Sequence, residues 1–359
     1  METLILGQDL GMGSNKLYGS QGGLVLQSVV AAVTGQAVGS LLGFRTQKPP
    51  LKLYLDGTMF YVGPGAADWG QVIENLDYDR LNGVPETRAV VYANLTRYLQ
   101  QMKVTQAYMN LIVGLPLEPL SGPEAQANAD AVRAWLRGDH AWEVDGQRYH
   151  VSVNEAKVTS QPSGALFDYL LDDDGQFIPE RKGHLNQEVG ILSLGFNTIE
   201  VLTVRDRTPV QAMTGGRTAG VRRLLELVNT AGWYSMGELD SQLRAGTLDV
   251  KSALLIWARE VSGHVEKIWG QRWRRFARII AVGGGALLLR EHLVDIIVPT
   301  HLRPGDYFDI RVEDFVKLGA ETGVKVYPTE WQALGFVDTD QRPGDEAAGR
   351  RRYDKPKTK

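Results

Sequence analysis

The chain has no cysteine among its 359 residues. That excludes disulfides and thiolate metal sites, and it suits a reducing compartment. It also lacks any run of about 18 apolar residues, the length that a membrane-spanning helix needs. Met1-Glu2-Thr3 is not the basic start of a secretory leader, and neither end carries a basic amphipathic helix that would lie on a bilayer. The expected location is therefore the cytoplasm, with no membrane partner. The six histidines show no His-x3-His spacing, so no zinc site is expected. A formal net charge of only -3 means that the chain as a whole is not the strongly basic body that binds nucleic acid through charge alone.

What is present is a globular composition. Apolar residues make up 43% of the chain, enough for sizeable cores, and the length suggests two or three domains. Strand-like runs at 24–33, 52–63, 107–117 and 188–204 alternate with helical patterns at 86–102, 123–138 and 249–276. The run "AGVRRLLELVN" is a further helix. Asp56-Gly57 and Asp145-Gly146 mark two tight hairpins. Residues 277–293 read as strand, glycine loop and helix. The alternation argues an α/β fold. Each half begins with a hairpin that turns at Leu-Gly, so the halves are expected to be alike.

The first of these hairpins, "GQDLGMGSNKLYG" over 7–19, carries one acid, two glycines and a lysine. It is not a P-loop, because Asn15 precedes Lys16 and Leu17 follows it. The dinucleotide fingerprint also fails, for want of a third glycine after Gly11 and Gly13. A glycine turn lets backbone N–H groups approach an anion, Lys16 adds charge for a phosphate, and Asp9 is suited to a hydrated magnesium ion. The stretch "SLGFNT" over 193–198 repeats the design, so two hairpins can close on one triphosphate. "AVGGGALLL" over 281–289 adds a glycine cluster that suits either a flat base or tight strand–helix packing.

In this order the motifs resemble those of the superfamily of actins, sugar kinases and heat-shock chaperones. The first hairpin is similar to its first phosphate motif, "SLGFNT" to its second, and "VGGGA" to its adenosine motif. "VGLPL" (113–117) and "TSQPSGALFDYLL" (159–171) resemble the first connecting region, and "WQALGF" (331–336), with Ala333 and Gly335, the second. Within the superfamily the chain is most similar to bacterial and archaeal actin-like proteins of the plasmid-segregation type. That resemblance implies an α/β fold of two similar lobes with ATP/ADP and magnesium in the cleft between them, and polymerisation of the chain with itself, assisted by a DNA-binding adaptor. Lobe I is expected over 1–170 with a small insert at about 35–100, lobe II over 171–340, and a disordered basic tail over 341–359. The tail, with "RRRYDKPKTK", is the expected contact for DNA or an acidic partner.

Carried over residue by residue, the resemblance makes Asp9 the organiser of magnesium. Gly11, Gly13, Ser14, Asn15 and Lys16 hold the β- and γ-phosphates, and Gly195, Asn197 and Thr198 form the opposing clamp. Gly215, Gly216 and Arg217 lie near ribose or phosphate. Gly283, Gly284, Gly285 and Ala286 back the adenosine, with Glu260 as a further nucleoside contact. Gln161 positions the attacking water, with Glu155 as the alternative. One position departs from the family pattern: the second phosphate motif opens with Ser193 where the family has Asp. Serine carries no charge, and Glu188, five residues away, falls on the opposite face of its strand. ATP is therefore expected to bind and to be hydrolysed slowly. A nucleotide switch without efficient hydrolysis, or a small-molecule kinase on the same fold, are the alternatives.

Overall fold

The computed structural model describes residues 3–33, 48–172 and 175–292 and the strand 310–312. The basic tail and the 331–336 match lie outside the described residues, as do 34–47 of the expected insert.

Among the described residues the first half contributes strands β1 (Thr3–Leu10), β2 (Ser14–Gly19), β3 (Gly22–Gln27), β4 (Val30–Ala32), β5 (Leu51–Leu55), β6 (Thr58–Val62) and β7 (Gln71–Val72). Helix α1 (Pro85–Gln101), β8 (Gln106–Leu115), α2 (Ala125–Leu136), β9 (Gly138–Val144), β10 (Gln147–Ser160) and α3 (Gln161–Leu170) follow. The ten strands form one sheet in the order β3-β2-β1-β8-β10-β9-β5-β6-β4-β7. Two hairpins turn where the sequence predicts, with Asp56 and Gly57, and Asp145 and Gly146, at positive φ. Such residue pairs tolerate that geometry and match the twist of the strands. The expected strand over 24–33 is broken in two. Ser28 leaves the ladder, and its N–H and Oγ bond the carbonyls of Gly13 and Gly11.

The second half holds α4 (Pro179–Lys182), β11 (Val189–Leu194), β12 (Ile199–Arg205), β13 (Thr208–Pro209) and β14 (Gly215–Arg217). Then come α5 (Val221–Val228), α6 (Met236–Arg244), α7 (Lys251–Trp269), β15 (Arg278–Val282), α8 (Gly284–Leu288) and β16 (Ile310–Val312). The main path of this sheet runs β13-β12-β11-β15-β16. The long helix ends at Trp269, earlier than its apolar pattern predicts. Gly270, at φ 51, takes the chain out of the right-handed region there.

Both sheets are built alike around their first strand. An antiparallel hairpin partner lies on one side, β2 for β1 and β12 for β11. A parallel strand lies on the other, β8 for β1 and β15 for β11. Each sheet with its helices forms one lobe, giving the two-lobed α/β architecture that the resemblance implies. One core, centred on α1 with Tyr98, Leu95 and Leu99, fills lobe I. A second, with Trp257, Trp269 and Trp273, packs α5 to α8 on lobe II. The helically spaced tryptophans are thus core residues, and the Trp257 and Trp269 indole N–H groups are satisfied by Ala219 O and Thr203 Oγ1. A third core sets α3, through Leu166, Tyr169 and Leu170, against Ile191 and Leu202 of lobe II and Ile112 of lobe I.

Candidate functional site

Ligands of α/β sheets collect at the carboxyl ends of the parallel strands. Here the register brings Asp9 of β1, Gly114 of β8 and Thr159 of β10 to one such end. Asp9 faces Lys16 directly across the β1–β2 hairpin, and Lys16 Nζ lies 3.2 Å from Asp9 Oδ2. The sequence "SQPS" starts α3, with Ser160 as N-cap and proline in the first turn. That start points Gln161 back at the acid, where its Nε2 donates to Asp9 Oδ1. Two opposed effects act on the Asp9 carboxyl. Burial raises its pKa, and the charge and hydrogen bond of Lys16, with help from Gln161, lower it; burial wins and the net shift is upward. Asp9 is therefore a carboxylate with less positive charge nearby than its burial requires.

The turn of this hairpin admits little but glycine. A Cβ on Gly11 would sit 2.3 Å from the carbonyl oxygen of Ser14. One on Gly13 would sit 2.6 Å from Phe196 Cβ. Phe196 belongs to the β11–β12 hairpin, so the two glycine hairpins touch across the cleft. The second hairpin is closed by Gly195 N–H donating to Thr198 O at 2.9 Å. It is then clamped by the start of α5, where the N–H groups of Gly220, Val221 and Arg222 bond the carbonyls of Asn197, Gly195 and Phe196. Thr198 and Asn197 are buried, and Asn197 Oδ1 accepts from Arg222 at 3.4 Å.

Glu200 belongs to no motif that the sequence marks. It lies directly opposite Ser193 in the antiparallel register, so both side chains leave the same face. It is fully buried, and its pKa is pushed up to about 8, first by burial and also by the charge of Asp9. Oε1 accepts the Leu117 N–H at 2.6 Å, a bond from the "VGLPL" loop of lobe I to lobe II. Oε2 is buried with no hydrogen-bond partner among the described residues. A signal for it existed in the sequence. Lys16 follows Asp9 by seven positions and faces it; Glu200 follows Ser193 by the same seven and faces it. The two hairpins are one device in which lobe I carries acid and cation, and lobe II carries hydroxyl and acid.

The remaining expected residues divide. Ser14 and Lys16 alternate with Asn15, whose side chain turns inward to accept from Gln8 Nε2 at 3.1 Å and Asn94 Nδ2 at 2.8 Å. Asn94 Nδ2 also donates to the Asn15 carbonyl at 3.1 Å. Gly216 pairs with Glu200 in the β12–β14 ladder, which sets the glycine segment beside that carboxyl, and Gly215 and Arg217 flank it, Arg217 being exposed. Val282 pairs with Ser193, so the 283–286 turn sits over the start of the second hairpin. Two of its glycines have a packing reason: a Cβ on Gly283 or Gly285 would come within 2.5 or 2.8 Å of Leu194 O. Gly284 faces open space, and Ala286 is buried. Glu260 is gripped by Arg223 across α5 and α7 at 2.9 Å. Glu155 is exposed on β10, 3.6 Å from Lys157, away from this cluster. Glu188 lies at the far end of β11 with Arg275 at 3.0 Å.

Residues 7–164 match the family model of the actin-like proteins' N-terminal domain. No curated protein matches the sequence. Among solved structures, an archaeal actin homologue in complex with ADP aligns with a TM-score of 0.60 at 18% identity, over 85% of this chain and 95% of that one. A ParM from a 15-stranded filament of Clostridium botulinum gives 0.62 at 16% identity, over 88% and 95%. Bacillus thuringiensis ParM with AMPPNP gives 0.60 at 13% identity, over 94% and 96%.

Proposed function

We propose that this chain, an actin-like protein by its N-terminal domain and its two-lobed fold, binds ATP with magnesium between its lobes and assembles with its own copies into filaments. The purpose that the sequence resemblance implies is the segregation of DNA such as a plasmid. The observation that carries the reading is the pair of facing glycine hairpins with Asp9, Lys16, Gln161 and Glu200 gathered at their base. ADP and AMPPNP bound to two of the structural neighbours, and the filament of a third, support it. With lobe I taken as 1–170 and lobe II as 171–340, α3 ends at the boundary, beginning on Asp9 and burying its apolar face in lobe II.

Magnesium fits this site by the chemistry of its donors. Two buried carboxyls face this site, both with pKa raised by burial: Asp9 shares one lysine, Lys16, and Glu200 keeps an oxygen with no hydrogen-bond partner among the described residues. Magnesium keeps most of its waters and takes one or two carboxylates. Asp9 and Glu200 would hold it, and bound there it would neutralise charge on the phosphates. Lys16 supplies a charged donor to phosphate oxygen, and the hairpin N–H groups cradle the rest. Gln161 orients a water but cannot take its proton. Glu200, as a carboxylate, supplies the charge that Ser193 lacks. We therefore assign hydrolysis to Gln161 and Glu200 together, with Ser193 as a hydrogen-bonding partner only.

Lys16→Ala tests the reading. ATP affinity is expected to fall by about ten- to a hundredfold, the scale of a lost bond to a charged group. Unchanged affinity in a folded Lys16→Ala protein would end it. A DNA-binding adaptor and a contact of the basic tail with DNA or an acidic partner belong to the same proposal. Removing residues 345–359 should spare nucleotide binding and weaken that contact most at low salt.

A further inference from the structure

Helix α6 brings a second polar cluster to the cleft that no motif of the sequence marks. Asp240 is buried, and its Oδ2 accepts from Gln27 Nε2 at 2.9 Å and from Arg244 Nε at 2.8 Å. Gln27 also donates to Ser241 Oγ at 3.0 Å. Steadied by Asp240 one turn before it, Arg244 extends Nη2 to Ser14 Oγ, 2.9 Å away. Ser14 belongs to the first glycine hairpin, in lobe I, and Arg244 to lobe II. Ser14 and Gln27 are cross-strand partners of β2 and β3, and Ser14 shares its strand face with Lys16. The guanidinium thus stands over the turn to which we assign the phosphates.

We propose that Arg244 is a cross-cleft ligand of the terminal phosphate of a nucleoside triphosphate, and that Asp240 and Gln27 position it. The inference rests on the nucleotide reading above and adds to it a residue that tells triphosphate from diphosphate. An oxygen accepting from Ser14 Oγ at the usual ~2.7 Å lies within about 6 Å of Arg244 Nη2, a gap that a side-chain rotation closes. Arginine keeps its charge at all working pH values, and its planar fork matches phosphate oxygens. Asp240 takes the Nε donor and so orients the fork toward Ser14. A diphosphate leaves Arg244 on Ser14. A triphosphate adds a charged acceptor from the opposite lobe, and so also favours the closed cleft.

The experiment titrates the full chain with ATP and with ADP, each with magnesium, by calorimetry. Arg244→Ala is expected to weaken ATP about ten- to a hundredfold and ADP less than about threefold. Arg244→Lys should recover part of the ATP loss, and Lys16→Ala should weaken both nucleotides. Equal losses for ATP and ADP in Arg244→Ala, as a purely structural tie between the lobes would give, overturn the inference and leave nucleotide binding standing. So does no loss for either. Failure of the natural chain to bind either nucleotide overturns both readings. Should Arg244→Ala not fold, Gln27→Met decides the same question: an ATP-selective loss of smaller size supports the positioning, and an unselective one overturns it.

Discussion

Glu200 is a carboxyl in poor surroundings for its charge: one oxygen is bonded, one is not, and the side chain is buried. Its folded pKa of about 8 stands above the ordinary carboxyl value of 4.5. The native chain therefore holds a proton that the unfolded chain has released. Native stability from this group is complete below about 4.5 and declines as pH rises toward about 8. The melting temperature of the nucleotide-free protein should accordingly drop through that window, and Glu200→Gln should flatten the drop. Gln keeps an oxygen for the Leu117 N–H and carries no charge. An identical pH profile in the variant would show that the group does not titrate as its burial requires. Added magnesium should also lessen the drop in the natural chain, by supplying the missing positive charge.

At the scale of elements, the hairpins explain what the sequence made legible and what it hid. Gly11 and Gly13 were readable because the tight turn has no room for a side chain there, and the facing of Asp9 and Lys16 follows from the ladder that the turn sets. Glu200 was harder to read because its place is set by cross-strand register, and only the spacing of seven that it shares with Asp9 and Lys16 points to it. The Asn15 side chain points away from those of Ser14 and Lys16, because strand alternation sends it inward to Gln8 and Asn94. Helix α6 was hidden for a different reason: its Met236, Leu239 and Leu243 mark an apolar face, but nothing in that period says that Asp240 and Arg244 reach the first hairpin of the other lobe. The contact between hairpins is itself testable. Gly13→Ala would drive a methyl to 2.6 Å from Phe196 Cβ. It should lower the melting temperature and weaken ATP, and Phe196→Gly should relieve most of both effects in the double variant. Additive losses would mean that the hairpins do not touch. Ser235 caps α6 in a full capping box with Glu238. Its replacement by Ala should cost about 1 kcal/mol, read as a lower melting temperature, and loosen the Arg244–Ser14 contact with it.

For the whole molecule, the repeated topology was legible because both halves start with the same turn, and the two sheets bear this out. Which surfaces meet in an assembly was not legible, since exposed residues obey no period. Head-to-tail contacts that fail to close generate filaments, and a triphosphate that draws the lobes together gives one shape to every subunit. Assembly should then show a sharp critical concentration and follow the nucleotide. Electron microscopy of the purified chain, with sedimentation of the same samples, tests this most directly. Filaments should form with ATP and magnesium and be absent without nucleotide. A chain that stays monomeric with ATP and magnesium across salt, pH and concentration would contradict the account.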